Sequence, residues 1–206
     1  MKQFTLLLLF ALSVAACTGV NDLSREDYRQ GLLLIEPVVA TKVVVLPMRA
    51  PRANRHYLKV AEAIFMQALT EMRGQNGSLQ IVPPDASRDL PEVLFGDATA
   101  DRAILESDIE GLVARFGTPF FLQTELAQVE VVDGATQVRI HGRLWEAESG
   151  DILWEASGES RGYVFLFFPT VPASFERIAE AASRGLIRKM PTFRSATPTD
   201  DSNRIP

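Results

Sequence analysis

Apolar positions along this chain follow two periods, one after the other. Val43-Val44-Val45-Leu46 is a continuous run closed by Pro47, the pattern of a strand buried on both faces. Leu58, Ala61, Phe65, Ala68, Leu69 and Met72 then recur at steps of three and four, which predicts one face of a helix. Lys59, Glu62, Thr70 and Glu71 fall on its other side, and Gly74 caps its end. Leu79–Val82 predicts a short second strand stopped by Pro83-Pro84, and a polar loop runs from Asp85 to about Ala100. Leu105, Ile109, Leu112, Val113 and Phe116 define a second amphipathic helix. It starts either at Asp101 or at a capping box of Ser107 with Glu110, and it stops at Gly117 and Pro119.

From Phe120 the period changes to two. Phe120–Val132 predicts one long strand, Asp133-Gly134 a hairpin turn, and Gln137–Glu146 its return. Val138, Ile140 and Leu144 alternate with Arg139, His141 and Arg143, so one face is buried. Glu148-Ser149-Gly150-Asp151 turns the chain into a third strand, Ile152–Ser160, with Ile152, Trp154 and Ala156 inward. Pairing residues of equal parity sets Leu144 opposite Trp154, Arg143 opposite Glu155 and Arg139 opposite Glu159. A last helix follows Pro172, with Phe175, Ile178, Ala179, Ala182 and Leu186 on one face and Arg188-Lys189 in its final turn. The expected fold is α/β (α+β), a mixed β-sheet in the order β-α-β-α-β-β-β-α with helices packed on it. Two crossovers build a parallel part and the last three strands an antiparallel meander.

The N-terminal pattern belongs to neither period. Lys2 precedes the apolar stretch Phe4–Leu12, and Val14-Ala15-Ala16 leads directly into Cys17. A bilayer span needs about 20 apolar residues, so the stretch reads as a removable signal. One alternative is an ordinary signal that ends near a cysteine. The pattern resembles the lipobox of bacterial lipoproteins, which implies diacylglycerol on the Cys17 sulfur, cleavage before it and acylation (palmitate) of the new amine. In the sorting pattern it resembles, Thr18 in place of aspartate favours the outer membrane, lipid-anchored on the periplasmic face. The expected division is a signal peptide at 1–16, a lipidated N-terminus and tether at 17–41, a single domain at 42–190 and a disordered tail at 191–206.

Composition narrows the function classes. Cys17 is the only cysteine, so once lipidated the exported chain has no thiol for a disulfide and depends on its core. A net charge of −5 argues against nucleic acid and against a basic patch for anionic lipid. Only four of the 21 basic residues are lysine, a bias that GC-rich coding explains without a phosphate site. Pro47-Met48-Arg49-Ala50 after the first strand lacks the glycines of a dinucleotide-binding turn.

Four features together resemble a known group: Val43 to Pro47, the amphipathic helix, the helix ending Arg115-Phe116-Gly117, and Leu144-Trp-Glu-Ala-Glu-Ser-Gly-Asp-Ile-Leu-Trp154. They are similar to the envelope lipoprotein domain of the curli-secretion lipoprotein, the penicillin-binding-protein activator LpoB and the TolB amino-terminal domain. That group begins with a V-x-x-L-P-F strand and carries a D-x-x-T-G-x-x-x-W turn. Here Met48 stands for the Phe, and Glu146-Ala-Glu-Ser-Gly150 for the Asp-to-Thr-Gly turn. The resemblance spans roughly residues 42 to 190 and implies no catalytic residue.

The residues themselves show no chemistry that contradicts this. His56 and His141 have no second histidine or carboxylate at metal-ligand spacing, so no metal and no cofactor are expected. No serine lies in a Gly-x-Ser-x-Gly elbow, and Asp133, Glu148 and Asp151 belong to turns. The apolar run Tyr163-Val-Phe-Leu-Phe-Phe168, bounded by Pro169 and Pro172, is either a core-covering segment or a projecting loop that meets a partner or the lipid interface. As a loop it offers Tyr163, Phe165, Phe167 and Phe168 as partner-binding residues.

The expected function is a lipid-anchored, non-catalytic accessory or assembly subunit that binds another envelope protein. Its partners are then the membrane, through Cys17, and that protein, with a homo-oligomer left open. A hydrolytic or carbohydrate-processing envelope enzyme is the alternative. Pore formation needs long transmembrane hairpins, which the charged strands and tight turns here do not provide.

Overall fold

Burial on both faces of Val43–Leu46 sets the layers of the molecule. The structure is a computed structural model that describes residues 20–22, 38–40, 42–74, 79–87, 106–132, 134–162 and 173–194. In chain order these form β1 (Val20–Asp22), β2 (Val38–Val39), β3 (Lys42–Val45), α1 (Leu58–Leu69), β4 (Gln80–Val82), α2 (Glu106–Phe116), β5 (Phe120–Val132), β6 (Ala135–Glu146), β7 (Ile152–Gly162), α3 (Phe175–Arg188) and β8 (Phe193–Arg194). Val43 and Val45 join the main core with α1 and α3, while Val44 and Leu46 join a smaller cluster with Leu112 and Phe116 of α2. The order β-α-β-α-β-β-β-α runs from β3 to α3 as expected.

The main sheet has the order β1-β7-β6-β5-β3-β4. β3 is parallel to both β4 and β5, and β5, β6 and β7 form the antiparallel meander. The crossover through α1 steps outward from β3 to β4, and the one through α2 steps back past β3 to β5. Right-handed connections stepping in opposite directions place their helices on opposite faces, which is why the two clusters lie on either side of β3.

Local chemistry fits each element. Ala61, Phe65, Ala68 and Leu69 of α1 are buried, with Leu58 and Met72 packed at the rim. Glu62 departs from the outward side assigned to it: its carboxylate accepts the Met48 N–H at 2.7 Å, a donor left over where the chain leaves β3. α2 ends at Gly117 (φ 64°), whose N–H donates to Val113 O at 2.8 Å. Ser107 lies inside α2, not ahead of it, so the capping box of Ser107 and Glu110 does not open the helix. α3 buries Ile178, Ala179, Ala182 and Leu186, together with Ser183, Gly185 and Ile187. A carbonyl in its last turn and the two just beyond its end are held from outside the helix. Arg73 Nη2 donates to Ile187 O and Met190 O, both at 2.9 Å, and Trp154 Nε1 to Lys189 O at 2.8 Å.

The meander register agrees with the parity argument: Leu144 faces Trp154, Arg143 faces Glu155 and Arg139 faces Glu159. One inward residue is corrected. The register shifts after Leu144, so Trp145 pairs with Ile152 and Leu153 becomes the extra residue. Leu153 packs on the main core, whereas Ile152 shares a side with Trp145, which packs on the α2 cluster.

Two pieces of sequence outside the alternating pattern also enter strands. β1, within the segment expected to be tether, pairs antiparallel with β7, Val20 with Gly162 and Asp22 with Ser160. β2 pairs in parallel with β8, which falls in the segment expected to be tail.

Candidate functional site

None of the five residues singled out by sequence, Cys17, Tyr163, Phe165, Phe167 and Phe168, lies within the described residues. The described chain nevertheless brings their neighbours together. Val20, third after Cys17, is paired with Gly162, the residue before Tyr163. In sequence, Cys17 and Tyr163 thus lie three residues before and one residue after the two members of a single cross-strand pair, with 145 residues between them. The β5–β6 turn lies at the same end of the sheet, because Gln137 pairs with Arg161. Val131, in that hairpin tip, is 71% exposed.

Sequence alone offers little sign of this juxtaposition. Val-Asn-Asp is too short and polar to show a period, and its strand exists because β7 offers an edge. Val131 is visible only as one of several valines in a strand.

The outward side of the meander carries a ladder of polar side chains. Glu155 Oε1 accepts from Arg143 Nε at 2.9 Å and lies 2.8 Å from His141 Nε2. His141 Nδ1 is 3.1 Å from Ser157 Oγ. Further along, Glu159 pairs with Arg139 at 2.9 Å and accepts from Gln137 Nε2. Burial opposes ionisation of Glu155, but donation from Arg143 and the charges of Arg143 and His141 outweigh it, so its carboxyl sits below the ordinary value. Ser157, His141 and Glu155 are the residue types of a hydrolytic triad. Their setting is different. An antiparallel ladder points its N–H groups along the sheet, so none is aimed at an oxyanion above its face. Glu155 is also shared with Arg143, which makes the group an ion-pair ladder.

A second polar group lines a groove of about 240 Å³ between α1 and α3, formed by Ile64, Gln67, Ala68, Glu176, Arg177, Glu180 and Arg184. Arg184 bridges Glu71 and Glu180 there. Donation from Gln67 and then from Arg184 lowers the Glu71 pKa, and Glu180 followed by Glu71 raises that of Arg184. Opposite charges thus satisfy each other across the helix pair. Among the described residues no three His, Cys, Asp or Glu side chains are grouped to hold a metal ion. No described helix is long and apolar enough to cross a membrane.

No protein-family model matches this sequence, and no curated protein matches it. Among solved structures it is similar to the PelC dodecamer from Paraburkholderia phytofirmans, at 13% identity over 85% of this chain and 99% of that one, with a TM-score of 0.47. Lipoprotein GNA1162 from Neisseria meningitidis is similar at 19% identity over 60% of this chain and 84% of that one, TM-score 0.39. The LpoB C-terminal domain from Escherichia coli follows at 16% identity over 58% and 81%, TM-score 0.31. The neighbours thus include LpoB, one of the proteins the strand and turn motifs resemble. At these identities and TM-scores the likeness carries no activity, partner or assembly over to this chain.

Proposed function

We propose that this chain is an outer-membrane lipoprotein, anchored through lipid on Cys17, that acts as a non-catalytic accessory or assembly subunit by binding another envelope protein. The observation that carries this reading is Val14-Ala15-Ala16-Cys17 placed directly after the apolar stretch Phe4–Leu12. The way the domain uses its polar groups supports it. Glu62, Thr118 and Ser183 bond backbone groups, and Arg143, His141 and Glu155 satisfy one another.

The test joins the two halves of the proposal. Labelled palmitate should enter the wild-type protein and not Cys17→Ser, and crosslinking in intact cells should recover a defined envelope protein only with the anchored form. A lipidated protein that crosslinks to nothing specific would overturn the binding role. The hydrolytic reading has one observation on its side, the contact of His141 with Ser157 and Glu155. Ser157→Ala should complement a deletion strain fully, whereas an enzyme using that serine would lose function.

A further inference from the structure

We infer that the sheet end formed by β1, the last residues of β7 and the β5–β6 hairpin tip is the membrane-facing surface of the domain, held against lipid by an anchor with almost no slack. The inference rests on lipidation of Cys17 as proposed above, and it adds an orientation and a contact residue. Its starting point is the pairing of Val20 with Gly162. Three peptide steps join Cys17 to Val20, so the acylated residue lies within about 11 Å of the sheet end. The opposite end of β7, at Ile152, is ten residues from Gly162, which is about 33 Å of strand. An anchor that short reaches the bilayer only with the β1 end turned toward it.

The surface at that end suits lipid. Val131 is 71% exposed, although Val129, two residues earlier on the same side of the strand, packs on the core. Arg161 Nη2 donates to Val132 O at 2.7 Å, and Glu130 beside Val131 is exposed. Charged groups flanking one projecting valine fit the headgroup layer and not the acyl interior. The occupant is therefore a bilayer surface met at shallow depth.

The experiment uses the full-length lipidated protein in vesicles of phosphatidylethanolamine and phosphatidylglycerol containing lipid with a nitroxide quencher on its headgroup. A fluorophore is placed at Val131→Cys or, at the far hairpin, at Glu148→Cys; both positions are exposed, so labelling leaves the core intact. The expected result is strong quenching at position 131 and none at 148. A flexible ten-residue insertion between Gly19 and Val20 should abolish the quenching at 131 while the protein stays with the vesicles. Equal quenching at both positions in vesicle-bound protein, or quenching at 131 that survives the insertion, would overturn this inference and leave the Cys17 anchor standing. Protein that fails to associate with vesicles at all would overturn the anchor and the inference together.

Discussion

Gly158 is where the packing tolerates least. A Cβ there would come within 2.0 Å of the Ala182 carbonyl oxygen and 2.8 Å of the Leu186 backbone nitrogen. Backbone atoms of α3 cannot yield as a side-chain tip can, so the helix must lift from the sheet. Gly158→Ala should therefore cost about 2 kcal/mol or more in urea unfolding. Gly111 makes the matching control, since it lies in α2 with nothing within 4 Å of an added Cβ. Gly111→Ala should stabilise by about 0.5–1 kcal/mol. Equal effects at the two glycines would contradict the close approach of α3.

Glu155 gives a second test at this scale. Its folded pKa lies below the ordinary 4.5, so its stabilising contribution is full above that value and is lost as pH falls through the lower folded value. Glu155→Gln should thus be less stable than wild type at pH 7, with the difference vanishing in more acidic solution. The carboxylate is 41% exposed, and screening keeps the gap small. A gap that grows on acidification would contradict the ladder.

At the scale of elements, the β1–β7 pair makes a sharp prediction. Among the described residues β1 covers the outer edge of β7, and uncovered edges invite pairing between chains. A soluble form starting at Leu23 should melt at lower temperature than one starting at Thr18 and should self-associate more in sedimentation. Identical behaviour of the two would mean that β1 contributes nothing.

Those three residues also mark how far local pattern carries. The continuous apolar run Val43–Leu46, buried on both faces, and the periodic stretches Leu58–Met72 and Phe120–Glu146, each burying one face, were legible from local pattern. The register of Leu144 with Trp154 followed from parity alone. The shift to Ile152 did not, because a bulge depends on how the turn closes and not on which residues are apolar. β1, β2 and β8 were illegible for a related reason: each is a piece of two or three residues that exists only through the edge it joins, without the stop signals that mark Leu79–Val82.

The candidate site residues lie outside the described residues, and only their neighbours can be compared with the sequence. Cys17 and the Tyr163–Phe168 run stand out by composition, but the pairing of Val20 with Gly162 beside them is a long-range contact that no local signal encodes. The role proposed for the run has its own test. As a binding loop, Phe167→Ala should leave the melting temperature nearly unchanged and reduce partner capture. As core, the same change should cost about 3–5 kcal/mol, and a sharp fall in melting temperature without loss of association would remove it from the interface.

For the whole molecule, one lipidated residue is proposed to tie an acidic, disulfide-free domain to a membrane, where it binds its partner. If Cys17 is lipidated as proposed, no thiol remains for a disulfide, and among the described residues stability rests on the apolar clusters on either side of the sheet. The most direct measurement is the intact mass of the N-terminal peptide from protein purified out of membranes. The expected result is Cys17 as the first residue, carrying diacylglycerol on sulfur and an acyl chain on the amine. An unmodified Cys17, or a mature chain that begins elsewhere, would contradict the anchor.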